Sequence, residues 1–233
     1  MRYLVVGRHP WNRQHFDEML SERPEQWQFA GDPASLQAAT ANCEDLRYIF
    51  FLHWSEHVPD SIHTRLECVC FHMTDLPYGR GGSPLQNLIS SGHRETMLTA
   101  LRMAEEFDAG PVFMKRPLSL EGGTAEEILA RSSRLSCEMA IQIALLEPEP
   151  EEQVGDILTF RRRYPGQSEL PLQASDLLSV FDHIRMLDAE GYPRAFLHVG
   201  NYKLEFTRAG LYHDGIRADV KISLIDATKG EDQ

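Results

Sequence analysis

The sequence of 233 residues has no excess of basic residues, few cysteines and no long apolar run. It carries 23 lysines and arginines against 35 aspartates and glutamates, a formal net charge of −12. Proteins that bind large nucleic acids present many cations to the phosphates, so this balance disfavours a tRNA-sized ligand. No apolar stretch approaches the roughly 20 residues of a membrane-spanning helix. The amino terminus lacks the basic segment that opens a signal peptide, and a cytoplasmic location is predicted.

The sequence has four cysteines: Cys43, Cys68, Cys70 and Cys137. They do not form the paired C-x-x-C units of a zinc site, and the chain is too long and cysteine-poor for a disulfide-stabilised secreted domain. Cys68 and Cys70 lie two residues apart in a predicted strand, so their side chains share one face. We interpret the cysteines as buried thiols, and the sequence offers no convincing set of metal ligands.

Apolar runs and helical patterns alternate along the first 146 residues. Strands are predicted at residues 2–7, 26–30, 46–52, 67–72, 96–103 and 111–118. Helices are predicted at residues 11–21, from Asp32-Pro33 onward, at 83–91 and at 124–146, where Thr124 and Glu127 form a capping box. This alternation is typical of crossover helices on a parallel sheet, so we predict an α/β fold with an open, mostly parallel, Rossmann-like core.

The character of the sequence changes after residue 146. The acidic, proline-containing stretch 147–153 is predicted to be a solvated linker. Beyond it we predict a strand at 158–163, a helix from about Asp176 to Asp188 preceded by Ala174-Ser175, and several short strands within 195–225. We therefore predict a core domain at 1–150 and a small α+β carboxy-terminal region at 151–233 that contributes to a substrate site. Its strands could also form a homodimer surface.

The segment from Cys70 to Pro111 carries the most specific motif. It reads Cys-Phe-His-Met-Thr-Asp-Leu-Pro-Tyr-Gly-Arg-Gly-Gly-Ser-Pro at 70–84 and Glu-Glu-Phe-Asp-Ala-Gly-Pro at 105–111. His72 is predicted at the end of a strand, where open α/β sheets bind their ligands. Asp108 follows 36 positions later (108 − 72) among turn-forming residues. An imidazole beside a carboxylate can stabilise an oxyanion and transfer protons.

These residues resemble the signature of the folate-dependent formyltransferases, with the closest likeness to the sugar N-formyltransferases. The resemblance implies that a formyl group moves from the co-substrate 10-formyltetrahydrofolate to the amine of a nucleotide-linked amino sugar. It implies that His72 polarises the formyl carbonyl and that Asp108 orients His72 and accepts the amine proton. The implied folate contacts are Trp54, Leu76, Glu105, Glu106 and Phe107. The implied substrate contacts, several of them phosphate ligands, are Arg80, Asn87, Arg161, Arg163 and Tyr164.

The sequence departs from the family pattern two residues before the histidine, where Cys70 replaces the usual asparagine. A thiol is a poor hydrogen-bond donor, and the loss of one oxyanion donor can lower a rate by about 10²–10³-fold. Another donor could replace the asparagine, with Asn87, Thr74 and backbone N–H groups as candidates, or His72 could suffice. Cys70 could also act as a covalent nucleophile, or the protein could bind a folate or nucleotide without catalysis.

Two further sets of alternatives stay open. The acceptor could be methionyl-tRNA, although the enzymes of that class carry a basic carboxy-terminal domain and this chain does not, or it could be glycinamide ribonucleotide. Trp54 could equally be a core residue and Arg80 a structural one, and the run Arg161-Arg162-Arg163 could be a solvated surface. A ligand-bound structure that shows what lies between His72 and Arg161 would discriminate between these interpretations.

Overall fold

The computed structural model of the chain describes residues 1–41, 45–171, 173 and 176–225. The predictions made for Cys43 and for Ala174-Ser175 lie outside the described residues. The chain forms two compact units. The first contains Met1–Pro84, Glu95–Leu120 and Leu129–Arg161, and the second contains Leu85–Arg94, Glu121–Ile128 and Arg162–Gln233. The predicted domain boundary near residue 150 stays a prediction.

The first unit is built on a mixed sheet. Its strands, within the described residues, are β1 (Arg2–Val6), β2 (Gln26–Ala30), β3 (Leu46–Phe51), β4 (Cys68–His72), β5 (Tyr78–Gly81), β6 (Glu95–Arg102), β7 (Val112–Ser119) and β8 (Leu158–Phe160). The main sheet has the order β2-β1-β3-β4-β6-β7. β2, β1, β3 and β4 run parallel to one another, whereas β6 pairs antiparallel with both β4 and β7. The predicted mostly parallel α/β sheet is confirmed.

Continuous apolar runs explain why the parallel strands could be predicted. Leu4, Val5 and Val6 of β1 have no exposed surface, as expected for a strand that is covered on both faces. The helices of the described residues are α1 (Pro10–Met19), α2 (Pro33–Thr40), α3 (Asp60–His63), α4 (Pro84–Ser90), α5 (Ala125–Leu146) and α6 (Leu177–Arg185). Leu36 of α2 and Ile62 of α3 pack in the same core cluster as Leu4 and Val6.

Two predicted helix starts are confirmed by their hydrogen bonds. The Asp32 carboxylate accepts from the Ser35 backbone N–H at 2.9 Å, with Pro33 in the first helical turn. At the start of α5, the Thr124 N–H donates to the Glu127 carboxylate at 2.7 Å and the Glu127 N–H donates to the Thr124 hydroxyl at 3.3 Å. These bonds satisfy backbone donors that have no partner within the helix.

The prediction of a solvated linker at 147–153 was wrong in one respect. The stretch is largely exposed, but Glu151 forms a backbone bridge with Val112, with N–H···O distances of 2.7 and 2.9 Å. No strand was predicted in the glycine-rich segment after His72, where β5 pairs in parallel with β8. The helix α3 was not predicted at all. These short, non-local pairings leave no periodic signal in the sequence.

The second unit contains an antiparallel sheet in the order β11-β10-β9, with β9 at Ala195–Val199, β10 at Tyr202–Tyr212 and β11 at Gly215–Leu224. Two of these strands are longer than the short strands that were predicted. The register places apolar side chains on one face of the sheet: Ala195, Leu197, Val199, Tyr202, Leu204, Phe206, Val220, Ile222 and Leu224. Much of this face is exposed, and its use as a homodimer surface stays a prediction.

Among the described residues, every helix is too short or too polar to cross a lipid bilayer. The 22 residues of α5 are long enough, but charged side chains such as Glu126, Glu127 and Arg131 interrupt its apolar surface.

Candidate active site

The end of strand β4 places His72 beside Asp108. Because side chains alternate along a strand, Cys68, Cys70 and His72 lie on one face of β4. The His72 ring is 8% exposed, its Nε2 donates to the Gly79 carbonyl oxygen at 2.8 Å, and its Nδ1 lies 3.4 Å from Asp108 Oδ1. The structure therefore brings together the two side chains that the sequence motif predicted to meet. Their catalytic roles stay predictions.

Asp108 is held in a strained backbone conformation. Its φ of 57° lies in the left-handed region, which costs a non-glycine residue on the order of 1–3 kcal/mol. Three contacts offset this cost. Asp108 Oδ2 accepts from the Gly81 N–H at 2.9 Å, Oδ1 faces His72, and the carbonyl oxygen accepts from Gln153 Nε2 at 2.7 Å. The carboxylate thus has a fixed orientation, and its side chain is 20% exposed.

The loop that carries Asp108 is packed tightly against strand β6. A Cβ atom at Gly110 would lie 1.9 Å from the Arg102 carbonyl oxygen, so only glycine fits at this position. The Arg102 N–H donates to the Pro111 carbonyl at 2.8 Å on the same side. The Ala-Gly-Pro sequence after Asp108 therefore fixes the approach of the loop to the sheet.

The His72–Asp108 pair has chemistry suited to acyl transfer. Both ring nitrogens of His72 face oxygen atoms that can accept hydrogen bonds, and an imidazolium can donate to both. The Thr74 hydroxyl also donates to the Gly79 carbonyl, at 3.4 Å, and Thr74 is fully buried. Of the three groups considered as substitutes for the usual asparagine, Thr74 is the side chain that lies beside His72 in the first unit.

Cys70 faces the same region but is poorly suited to nucleophilic attack. Its Sγ donates to the Leu101 carbonyl oxygen at 3.7 Å. Burial raises the pKa of the Cys70 thiol, and the nearby Asp108 carboxylate raises it further. The thiolate is the reactive form of cysteine, so these surroundings disfavour covalent catalysis by Cys70. Burial likewise raises the pKa values of Cys68 and Cys137 to about 12. Both side chains are free and buried, as predicted.

Gln153 is the residue of this site that the sequence analysis missed. Its Oε1 accepts from Arg80 Nε at 3.1 Å and from Arg80 Nη2 at 2.8 Å. Its Nε2 donates to the carbonyl oxygens of Asp108 and Gly110, at 2.7 and 2.8 Å. Gln153 lies in the acidic stretch interpreted as a linker, where nothing in the pattern of neighbouring residues distinguishes it.

The residues predicted to contact folate differ in exposure. Leu76 is buried, so its side chain contributes to packing and offers no surface to a ligand. Glu105 and Glu106 are exposed, and Phe107, directly before Asp108, is 80% exposed. Trp54 packs against the core cluster, with its ring centroid 6.4 Å from that of Phe51. Its contacts favour the alternative of a core tryptophan, and its folate role stays a prediction.

The residues predicted to bind substrate fall in both units. Arg80 lies in the first unit, with an 11% exposed side chain whose Nη1 is 3.6 Å from Glu106 Oε1. Arg161 is exposed at the end of the same unit. Asn87, Arg163 and Tyr164 belong to the second unit. Their roles stay predictions.

Within the second unit, Arg163 lies close to His183. The Arg163 Nη2 donates to the Gln167 carbonyl oxygen at 2.5 Å, and His183 Nε2 donates to the Ser168 carbonyl at 3.2 Å. Burial lowers the pKa values of both Arg163 and His183, and the positive charge of Arg163 lowers that of His183 further. Tyr164 is largely exposed. Across the described ranges, no three His, Cys, Asp or Glu side chains are arranged to hold a metal ion.

Comparison with known proteins identifies the family. Residues 165–223 match the family model described as methionyl-tRNA formyltransferase, C-terminal domain. The solved methionyl-tRNA formyltransferase from Clostridium thermocellum is 40% identical to the chain with a TM-score of 0.91, and the match covers 96% of this chain and 99% of that one. The chain spans about half the length of the curated relatives it matches. The methionyl-tRNA formyltransferase of Thermotoga sp. (strain RQ2), for example, is 31% identical over 144 residues, which are 60% of this chain and 46% of that protein.

Two further solved structures show the same fold at lower identity. HypX from Aquifex aeolicus, in complex with tetrahydrofolic acid, has a TM-score of 0.72 at 17% identity. The match covers 90% of this chain and 38% of the HypX chain. A sugar N-formyltransferase from Shewanella sp FDAARGOS_354 has a TM-score of 0.66 at 14% identity, over 89% and 97% of the two chains. The match to the Clostridium thermocellum protein, at 40% identity over almost its full length, is decisive: the chain belongs to the methionyl-tRNA formyltransferase-like family of formyltransferases.

Proposed function

We propose that this protein transfers a formyl group from 10-formyltetrahydrofolate to a primary amine. The observation that carries the proposal is the His72–Asp108 pair at the end of β4, with 3.4 Å between Nδ1 and Oδ1. Family membership supports the same reaction, since the family is one of formyltransferases. HypX, which shares the fold, binds tetrahydrofolic acid, and this supports a reduced folate as the formyl donor.

The folate would supply the formyl group and carry it on a nitrogen atom that can leave. The exposed Phe107 ring, directly before Asp108, offers a flat apolar surface to a planar pterin, so the residues present fit such a ligand. Glu105 and Glu106 flank this surface, and the backbone of residues 105–107 would contact the pterin. The proposed site therefore lies along the loop that carries the carboxylate.

His72 and Asp108 would divide the chemistry between them. When the amine attacks the formyl carbon, the carbonyl oxygen becomes an oxyanion. The His72 imidazolium would stabilise it through its positive charge, because both of its N–H groups face the Gly79 carbonyl oxygen and Asp108 Oδ1. Asp108 would hold the imidazolium by charge and accept the proton that the amine loses as the C–N bond forms. The bond between the formyl carbon and the folate nitrogen then breaks, and that nitrogen takes up a proton. Because Asp108 is also held by the Gly81 N–H, its carboxylate is oriented before the substrates bind.

We propose a nucleotide-linked amino sugar as the acceptor. In the sequence, residues 162–225 carry eight lysines and arginines against eight aspartates and glutamates. This balance suits a ligand with two or so phosphates better than a long RNA, because RNA binding needs an excess of cations. Arg80 and Arg161 of the first unit are the proposed phosphate contacts, and the role of Arg163 stays a prediction. A sugar N-formyltransferase also shares the fold.

Methionyl-tRNA is the second candidate acceptor, and the family comparison favours it. The Clostridium thermocellum protein, 40% identical over nearly the same length, is named a methionyl-tRNA formyltransferase. The family model that matches residues 165–223 carries the same name. The two candidates differ in a measurable property, because formylation of a tRNA should weaken steeply as salt concentration rises, whereas formylation of a small molecule should not.

An assay with both kinds of acceptor tests the proposal. Purified protein is mixed with 10-formyltetrahydrofolate and either a panel of amino-sugar nucleotides or methionyl-tRNA. The release of tetrahydrofolate and the mass of the acceptor are then measured. We expect formylation of a sugar nucleotide and a roughly 10²–10⁴-fold lower kcat in His72→Ala, since general acid–base groups contribute about that much. His63, which lies 3.2 Å from Asp60 outside the site, gives a matched control, and His63→Ala should retain activity.

Three outcomes would contradict parts of this proposal. Reduced-folate binding by calorimetry without transfer to any acceptor would favour the non-catalytic alternative. An unchanged kcat in His72→Ala would refute the proposed chemistry. Salt-sensitive formylation of methionyl-tRNA alone would replace the sugar acceptor with the second candidate.

A further inference from the structure

The side chain of Gln153 joins two parts of the candidate site. Its carbonyl oxygen accepts from two nitrogens of Arg80, and its amide nitrogen donates to the carbonyl oxygens of Asp108 and Gly110. A primary amide has two N–H donors and two oxygen lone pairs, so all four positions are used. A glutamine with this pattern connects the Asp108 loop to strand β5 through a single side chain.

The backbone near Gln153 is fixed independently of the site. Two residues earlier, Glu151 exchanges two hydrogen bonds with Val112 at the start of β7. This bridge attaches the stretch 147–153 to the edge of the main sheet. The amide of Gln153 therefore extends toward the Asp108 loop from a backbone position that the sheet determines, and it does not depend on the loop for its own placement.

Asp108 needs such a contact because its backbone is strained. A non-glycine residue with φ of 57° keeps that conformation only when its surroundings hold it there. The carboxylate is held by Gly81 and His72, and Gln153 is the group that holds the carbonyl oxygen of the same residue. We propose that Gln153 is a positioning residue, which keeps the Asp108 carboxylate directed at His72 and keeps the Arg80 guanidinium in one orientation.

Arg80 is affected by the same contact. Gln153 occupies the Nε and Nη2 side of the guanidinium, so Nη1 is directed at the exposed carboxylate of Glu106, at 3.6 Å. Gln153 thereby sets which edge of Arg80 faces the loop next to Phe107. The predicted effect of the Gln153 contacts on turnover rests on the proposed function. Their predicted effect on the order of the Asp108 loop is independent of that function.

Hydrogen exchange of the Gly81 amide tests the inference without an activity assay. This amide donates to Asp108 Oδ2 at 2.9 Å and so reports whether the carboxylate is in place. In Gln153→Ala we expect the Gly81 amide to exchange roughly tenfold faster, because about that factor follows from the loss of a hydrogen bond that holds the loop closed. Amides of β1 should be unchanged. Gln28→Ala is the matched control, since Gln28 also accepts from an arginine, Arg2, at 3.0 Å.

Gln153→Glu separates the two halves of the contact and keeps the shape of the side chain. A carboxylate still accepts from Arg80, but it cannot donate to the carbonyl oxygens of Asp108 and Gly110. We therefore expect Gln153→Glu to expose the Gly81 amide as much as Gln153→Ala does. Unchanged protection of Gly81 in Gln153→Ala, or wild-type protection in Gln153→Glu, would overturn the proposal.

Kinetics then connect the contact to turnover. In Gln153→Ala we expect kcat to fall roughly 10–100-fold while the KM for the formyl donor changes less than about threefold, because a displaced catalytic group slows chemistry more than binding. In an Asp108→Asn background the same change should have little further effect. An equal loss in that background would contradict action through Asp108. If the wild-type protein transferred no formyl group, the proposed function would fail while the exchange measurement would still decide the role of Gln153.

Discussion

At the scale of single residues, backbone N–H and carbonyl groups hold the two side chains of the proposed catalytic pair. His72 is held by the carbonyl of Gly79, and Asp108 is held by the N–H of Gly81. Both backbone groups come from the glycine-rich segment whose likeness to the family motif was visible in the sequence. The pairing of His72 with Asp108 could be predicted from that motif. The contacts of Gln153 could not, because an amide side chain within an acidic stretch has no pattern that indicates its partner.

Cys70 is expected to contribute packing more than chemistry. Its thiol donates to a backbone carbonyl, and burial keeps its pKa raised, so the reactive thiolate is rare. In Cys70→Ala we expect kcat to stay within about threefold of the wild type and the free energy of unfolding to fall by about 1 kcal/mol, as for the loss of one small, partly buried group. Steady-state kinetics and thermal unfolding measure the two quantities. A hundredfold loss of kcat with an unchanged melting temperature would show that Cys70 takes part in the reaction.

At the scale of secondary-structure elements, the parallel strands were predictable and the short pairings were not. Apart from Arg2 and Arg47, β1 and β3 are apolar runs because both faces of the sheet are covered, and such runs are visible without knowledge of their partners. β5 and β8 pair across about 80 residues of sequence and contain only four and three residues. Their pairing depends on tertiary contacts, as does the bridge between Glu151 and Val112, so neither could be predicted from local pattern.

The connection between β6 and β7 gives a prediction at this scale. In Gly110→Ala the added Cβ would lie 1.9 Å from the Arg102 carbonyl oxygen, so the Asp108 loop must move or the strand pair must open. We expect a free energy of unfolding lower by roughly 1–3 kcal/mol, the usual cost of overpacking. Denaturant unfolding measures it, with Gly31→Ala as the control, because a Cβ there meets its nearest atom at 3.6 Å. Equal stability of the two variants would show that the loop is not tightly packed.

At the scale of the whole molecule, charge and family indicate different acceptors. The net charge of −12 and the balanced charge of residues 162–225 favour a small phosphorylated amine. The similar proteins from Clostridium thermocellum and Thermotoga are named methionyl-tRNA formyltransferases, which is the basis of the second proposed acceptor. Both proposed acceptors would use the same formyl donor and the same proposed catalytic pair, His72 and Asp108. The reaction can therefore be tested without first deciding the acceptor, as long as one acceptor supports turnover.

The most direct test of the central claim is a double-mutant cycle on kcat with His72→Ala, Asp108→Ala and the double variant. Residues that act as one unit give a double variant hardly slower than the worse single variant. We expect each single change to lower kcat by at least about 10²-fold and the double variant to lose less than about threefold more. Losses that multiply in the double variant, or an Asp108→Ala enzyme as fast as the wild type, would contradict the account.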